Sequence, residues 1–347
     1  MGSGTIAGAP PGATRRYPRP VRRSRLRPAL LAAATLAAGC GSGATAPPVE
    51  DHVHAAVPGA RPGEILLGTH YGLRISEDGG RTWPATGDLA HAQIRLLTAT
   101  GAGWVAVTGA DGAGSTTLFS ADGRHWQAAT GMPAGHPVSV LVAGAAPGTV
   151  WAEVTDTGIV GSDDGGRSWH AALPTPLTIN DLAAGVDGPD LLAYASSAGI
   201  FLARGGQLVP VFDAAVLDGD VQGVQRWAAC PRCLVATLPG AVATSADGGR
   251  RWSSHPTRLP FTAMQSWAGG GPALLGLVPA PASADHGVYL STDGAVTWTR
   301  VLDAPLVDRL LLPTAGGIPL LAFRWGVAVY RSTDAGRTWA AEGPLRG

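Results

Sequence analysis

Lysine is absent from this chain of 347 residues, so every one of its 25 basic residues is arginine. Cysteine is nearly as scarce, with three in total, which excludes a framework of several disulfides. No segment of 12 or more residues after residue 45 has the periodicity of an amphipathic helix. No basic run occurs beyond residue 40, and the chain therefore lacks the electrostatic footprint of a nucleic-acid-binding protein.

The main feature of the sequence is a turn sequence that contains Ser, Asp, Gly and Trp in nearly constant order and occurs six times. One copy reads Ser76-Glu-Asp-Gly-Gly-Arg-Thr-Trp83, and the copies begin at residues 76, 120, 162, 245, 291 and 332. The one long step, from 162 to 245, is twice the usual length and leaves room for a degenerate unit at 202–206. The Asp and Trp of the six copies are Asp78 and Trp83, Asp122 and Trp126, Asp164 and Trp169, Asp247 and Trp252, Asp293 and Trp298, and Asp334 and Trp339.

Each repeat unit is predicted to be a small antiparallel sheet. Apolar runs such as 64–69 and alternating runs such as 73–75 precede the turns, and turn residues bound them, as is typical of β-strands. Every unit has room for four strands, and four-stranded units of about 40–45 residues around an axis are propeller blades. We therefore predict an all-β fold, a monomeric seven-bladed β-propeller of four-stranded antiparallel blades over residues 51–347. We expect side chains of blades one and seven to close it.

The repeated turn resembles the Asp-box, or bacterial neuraminidase repeat, of sialidases and other propellers, and the resemblance covers residues 51–347. It implies that each turn lies between the third and fourth strands of a blade, on the face away from the functional site. Proteins with this repeat include sialidases, sortilin-type receptors and photosystem II assembly factors. The Asp and Trp residues are therefore interpreted as structural, with Asp holding the turn and Trp packing between blades.

Residues 1–40 are predicted to be an export signal, because seven arginines between positions 15 and 27 precede an apolar run at 29–38. Leu36-Ala-Ala-Gly-Cys40 resembles a bacterial lipobox, which implies lipidation of Cys40 and a flexible tether over 41–50. The protein would then be a lipoprotein on the outer side of the cytoplasmic membrane or in the cell envelope. A cleaved signal and a retained anchor are the alternatives. All 25 acidic residues follow Cys40 whereas seven of the 25 arginines precede it, so the exported part has a net charge of −7.

The other two cysteines form the short segment Cys230-Pro-Arg-Cys233. A redox pair of the thioredoxin type needs a helix start, and a zinc ribbon needs a second pair, and neither is visible in the sequence. Because export favours oxidation, we predict a structural disulfide between Cys230 and Cys233. Free thiols, and redox or metal chemistry, are the alternatives.

The loop face opposite the turns is the predicted binding site. His52 and His54 begin an innermost strand, where i,i+2 spacing places both imidazoles on one face, and His70 ends the neighbouring strand. Three imidazoles from adjacent strand ends are suited to zinc or copper, and this divalent metal is the one cofactor considered. Contact with a small ligand or glycan, and ordinary hydrogen bonding, are the alternatives. This segment also resembles the opening of bacterial lipoprotein propellers labelled sialidase-like glycosyl hydrolases.

Further ligand-binding candidates lie in equivalent loops of later blades: Arg324, Trp325, Asp285 and His286. Arg beside Trp is suited to clamp a carboxylated sugar through bidentate pairing and ring stacking. The catalytic residues that a sialidase resemblance implies, among them a Tyr–Glu pair, are not evident. We therefore predict a non-catalytic, membrane-tethered propeller that binds a protein, glycan or metal. A sialidase-like glycoside hydrolase and an assembly factor resembling photosystem II assembly propellers are the alternatives.

Overall fold

The structure is a computed structural model, and all the residues that it describes lie in one compact unit, Val49–Gly347. It describes residues 52–109, 115–175, 177, 179–184, 191–195, 199–204, 206–212, 221–267, 271–312, 319–324 and 328–345. The predicted export signal, Cys40 and the tether lie outside these ranges. Within them, all regular structure is β-strand, and no helix of a length and apolarity to cross a membrane is found.

The strands form seven antiparallel sheets, and in each sheet the strands follow one another in chain order. The first sheet has three strands: β1 (Val53–Pro58), β2 (Ile65–Thr69) and β3 (Gly72–Ser76). The second and third sheets have four strands each: β4 (Ile94–Ala99), β5 (Trp104–Thr108), β6 (Thr116–Ser120) and β7 (Gln127–Ala128), then β8 (Val138–Ala143), β9 (Val150–Val154), β10 (Gly158–Ser162) and β11 (His170–Pro174).

The remaining four sheets also have four strands each. The fourth and fifth consist of β12 (Asp181–Ala184), β13 (Leu191–Ala195), β14 (Gly199–Arg204) and β15 (Gln207–Phe212), then β16 (Gly223–Arg226), β17 (Leu234–Leu238), β18 (Ala241–Ser245) and β19 (Ser253–Pro256). The sixth and seventh consist of β20 (Ala263–Gln265), β21 (Leu274–Val278), β22 (Gly287–Ser291) and β23 (Thr299–Leu302), then β24 (Val307–Leu311), β25 (Leu320–Arg324), β26 (Ala328–Ser332) and β27 (Ala340–Gly343).

Six sheets therefore have the four strands of a propeller blade, and the prediction of seven such blades is wrong. In the first sheet the segment after Trp83 forms no fourth strand, and a single bridge between Arg74 and Ala85 stands in its place. Pro84, directly after the tryptophan, has no N–H to donate to a ladder. A loop covers the edge of β3 instead: the amide of Ile75 donates to the carbonyl of Pro84 at 3.1 Å.

The innermost strands pack side by side, and β1 contacts both β4 and β24, so the first and last sheets are neighbours. They meet through side chains, and no described strand from the end of the chain pairs with the first sheet. Their shared core is fully apolar: Val53, Ile65, Leu67, Trp83, Leu311, Leu321, Phe323 and Val329. Within it, the rings of Trp83 and Phe323 lie edge to face with centroids 5.9 Å apart.

The repeated turn is held by its own side chains. Ser76 Oγ donates to the Asp78 carboxylate at 2.8 Å and accepts from the amide of Gly80 at 2.7 Å. Asp78 also accepts from the amides of Arg81 and Thr82. The Ser–Asp hydrogen bond occurs in all six copies, and in four of them the Trp indole N–H donates to a carbonyl three residues earlier. The Ser and Asp side chains of the turns are therefore used within the turns themselves, which supports their interpretation as structural residues.

We expect acid to destabilise the protein through these turns. The Thr297 hydroxyl and backbone N–H groups hold the pKa of Asp293 at about 2, and Thr338 does the same for Asp334. A carboxyl whose folded pKa is depressed contributes stability above its unfolded pKa of about 3.9, and that contribution is lost as pH falls to about 2. Urea denaturation over this pH range measures the loss. Asp334→Asn is expected to lose less stability on acidification than the wild type, and an equal loss would contradict the assignment.

Candidate functional site

The three predicted histidines lie at the end of the first sheet that is opposite its repeated turn. β1 begins beside the end of β2, with Val53 paired to Thr69, whereas Ser76 opens the turn at the far end of β3. His52 precedes β1 and His70 follows β2, and the amide of His70 donates to the carbonyl of His52 at 3.2 Å. Pairing of the two strands therefore brings these side chains to one place.

The imidazoles of His52, His54 and His70 form a compact cluster. Their ring centroids are 4.3 Å apart for His52 and His54, 5.2 Å for His52 and His70, and 6.0 Å for His54 and His70. One ligand nitrogen from each residue lies within 4.8 Å of the other two, and all three residues are half-buried. Tetrahedral zinc at about 2.0–2.1 Å from each nitrogen needs the nitrogens about 3.3 Å apart, so modest side-chain rotation would complete the geometry.

A β-bulge contributes to this arrangement. The register of β1 with β2 shifts between Val53 and Ala55, which leaves His54 as the extra residue. Bulges re-aim side chains and are common beside functional sites. The same shift occurs in three other innermost strands, where the extra residue is again polar: Arg95 in β4, Ser139 in β8 and Asp308 in β24. The sequence carries a signal for this pattern, namely a polar residue directly after the first buried residue of each of these strands.

Gln93 orients His70. Its side-chain amide nitrogen lies 3.2 Å from His70 Nδ1, just before β4 begins. The carboxamide oxygen and nitrogen exchange places on a flip of the amide, and the oxygen then accepts a hydrogen bond from Nδ1–H. In that arrangement the Nε2 lone pair of His70 is left for a metal, and a fixed partner on the other ring nitrogen is the usual support of a metal-binding histidine.

Two residues of the last sheet border the cluster. Asp308 is half-buried, and burial raises the pKa of its carboxyl, while the charges of Arg309 and His52 act in the opposite direction. Arg309 donates from Nε to the carbonyl of His54 at 3.0 Å and from Nη1 to the carbonyl of Asp308 at 2.8 Å. A carboxylate and a guanidinium therefore stand beside the three imidazoles. Neither residue was among the sequence-based candidates for this site.

Two of the other predicted ligand residues, Asp285 and His286, make contacts within their own sheet. In the sixth sheet, His286 Nε2 lies 2.9 Å from an oxygen of Asp303, and the backbone carbonyl of Asp285 accepts from the Tyr289 hydroxyl at 3.0 Å. Arg324 ends β25, and its Nε is buried with no hydrogen-bond partner in the part of the chain that the structure describes. Trp325 lies outside that part. The predicted Arg–Trp clamp therefore stays a prediction.

Cys230 and Cys233 are joined by a disulfide in the turn between β16 and β17. The amide of Cys233 donates to the carbonyl of Cys230 at 3.1 Å, so the bridge closes a tight turn. Both cysteines lie within this turn and strands flank it on both sides, which fits a structural bridge that closes the turn.

A half-buried carboxyl, that of Asp181, lies on the innermost strand of the fourth sheet. Asp181 accepts from the amides of Leu182 at 2.9 Å and Val224 at 3.3 Å, the second of which lies in β16. Burial raises the pKa of Asp181 to about 6. Its carboxylate therefore joins two sheets at the cost of carrying a charge in a poorly solvated position.

We expect Asp181→Asn to stabilise the protein by about 2 kcal/mol near pH 8 and to have little effect near pH 4. A carboxyl with a raised folded pKa contributes stability below its unfolded pKa, and that contribution is lost as pH rises through about 6. The amides of Leu182 and Val224 donate to different carboxylate oxygens, so the Asn carbonyl keeps one of these two hydrogen bonds, as the carbonyl oxygen of the protonated carboxyl does. Urea denaturation at the two pH values measures the difference, and a loss of stability at both would show that the charge itself is needed.

No protein-family model matches this chain, and no curated protein matches it. Solved structures share its fold. "YCF48 bound to D1 peptide" has 15% sequence identity and a TM-score of 0.62 over 83% of this chain and 94% of that chain. YCF48 from Cyanidioschyzon merolae has 13% identity and a TM-score of 0.60 over 82% and 96%. An ancestral GH74 enzyme has 13% identity and a TM-score of 0.60 over 84% of this chain and 46% of its own. At such identities the likeness establishes a β-propeller fold and no activity.

Proposed function

We propose that this protein is a non-catalytic β-propeller that binds a divalent transition metal, zinc or copper, at the sheet ends opposite the repeated turns. The proposal depends on one observation, the cluster of His52, His54 and His70 with ligand nitrogens within 4.8 Å of one another. Imidazole is a preferred ligand of both metals, and three imidazoles are the protein ligands of several zinc sites. Gln93 beside His70 adds the kind of supporting contact that such sites have.

The two other functions considered from the sequence have weaker support. The GH74 enzyme shares the fold, but fold likeness assigns no catalytic residue to this chain. Glu153, near the loop-face end of β9, is 3% exposed and accepts a hydrogen bond from Ser139, so a substrate has little access to this carboxyl. Among the solved structures named above, a bound peptide is named for one YCF48 structure, and that name concerns YCF48 alone.

The proposal also places the protein outside the cytoplasm, anchored through a lipid on Cys40. The arginine-rich leader, the apolar run and the lipobox-like Leu36–Cys40 segment support this placement. Cys40→Ala is expected to move the protein from the membrane fraction to the soluble extracytoplasmic fraction. An unchanged membrane fraction would show that another segment provides the anchor.

Calorimetric titration of the chelator-treated protein with Zn²⁺ and with Cu²⁺ tests the metal site. We expect one equivalent to bind, and we expect His52→Ala to abolish or greatly weaken that event. The matched control is the double variant His125→Ala, His170→Ala, because these exposed histidines lie in and directly after repeated turns at the opposite end. Absence of binding by the wild type, or equal binding by the His52 variant, would refute the proposal.

A further inference from the structure

We infer that the metal held by His52, His54 and His70 keeps one coordination position for an exogenous anion, with Arg309 as the second contact to that anion. The inference rests on the proposed metal site and adds the class of ligand that the site takes. That class is a small carboxylate or phosphate-like oxyanion.

The number of protein ligands is the first argument. Zinc in proteins is usually four-coordinate, and sites with three protein ligands hold water or a substrate in the fourth position. Within the described part of the chain, the group of mutually close metal-ligating side chains contains these three histidines and no carboxylate. Asp308 is near, but it is not part of this group, and its carboxylate oxygen lies 4.0 Å from the Nη1 atom of Arg309.

Accessibility is the second argument. The three histidines are half-buried, and the adjoining Tyr71 is 44% exposed with its ring edge-on to His70 at 5.2 Å. The cluster lies at strand ends and not inside a sheet. A small ligand from solvent therefore has a route to the metal, which a closed structural site would not provide.

The charge of Arg309 is the third argument, and it decides the class of ligand. Its Nε and Nη1 atoms are fixed to the carbonyls of His54 and Asp308, which holds the guanidinium beside the cluster. No hydrogen bond from Nη2 is found among the described residues, and the side chain is 45% exposed. A metal and a fixed guanidinium together favour an oxyanion, because both bind negatively charged oxygen and the guanidinium adds direction.

Cobalt-loaded protein gives the test, because the visible absorption of Co²⁺ changes with its ligands. We expect azide, acetate and inorganic phosphate each to change the Co²⁺ spectrum in a saturable way. Arg309→Gln is expected to weaken azide affinity by about 3- to 10-fold, the range of a largely exposed charge contact, and to leave the Co²⁺ stoichiometry unchanged. Arg309→Lys, which keeps the charge, is expected to recover most of the affinity.

Arg81→Gln is the matched control, because this exposed arginine lies in the repeated turn of the first sheet, at the end opposite the histidine cluster. Its azide affinity is expected to equal that of the wild type. A wild-type spectrum that does not respond to anions, combined with a response in Asp308→Asn, would overturn the inference by showing that Asp308 fills the fourth position. Equal azide affinity in Arg309→Gln and the wild type would remove Arg309 from the site. Failure of the wild type to bind Co²⁺ would refute the metal site itself.

Discussion

Alanine at His54 is expected to weaken zinc binding by more than about 100-fold. Loss of a residue that only supports a metal ligand typically costs 10- to 100-fold in affinity, and His54 is itself one of the three proposed ligands. Its ring lies 4.3 Å from that of His52 and 6.0 Å from that of His70, so the remaining pair would leave the metal with two protein donors. Competition with a chromophoric chelator measures the affinity directly.

His91→Ala is the matched control for this prediction. His91 is exposed and lies in the segment before β4, close in sequence to Gln93 but outside the cluster. Its removal is expected to leave zinc affinity unchanged. Zinc should also raise the unfolding temperature of the wild type and of the His91 variant, because a ligand that binds only the folded state stabilises it, and should do so far less for the His54 variant. Equal affinities in all three proteins would contradict the assignment.

Alanine at Trp83 is expected to lower the free energy of unfolding by about 3–5 kcal/mol, as is typical for a large aromatic side chain removed from a packed core. Trp83 is 1% exposed and belongs to the core that the first and last sheets share. Because these sheets meet through side chains and not through a common strand, the cavity would form where the ring of sheets closes. The loss of the edge-to-face contact with Phe323 adds to the effect.

Urea denaturation measures this loss, with the β-sheet signal in far-UV circular dichroism as the readout. Trp126→Ala is the comparison, since Trp126 has the equivalent position in the next turn but remains half-buried and packs between sheets one and two. A smaller loss is expected there, because less apolar area returns to water. If the two variants lost the same free energy of unfolding, the junction between the first and last sheets would contribute no more to stability than the junction between the first two sheets.

Much of the fold followed from local patterns. The predicted strand runs at 64–69 and 73–75 correspond to β2 and β3, because short apolar and alternating segments bounded by turn residues have few other structures open to them. The proximity of His52, His54 and His70 was also predicted, since it needs only the antiparallel pairing of two consecutive strands. The absence of a fourth strand in the first sheet was not predicted. The period of the repeat gives the number of units but does not show that Pro84 interrupts one strand of one unit.

The sequence by itself determined the β-sheet units, their internal turns and the three histidines at one strand end, because each depends on residues that are neighbours along the chain. Only the tertiary structure decided what surrounds those histidines. Arg309 donates to the carbonyl of His54 across 255 residues of sequence, and its neighbour Asp308 is placed close enough to His52 for their charges to interact. That contact exists because the last sheet packs against the first, and no local periodicity encodes which loop residues such a closure brings together.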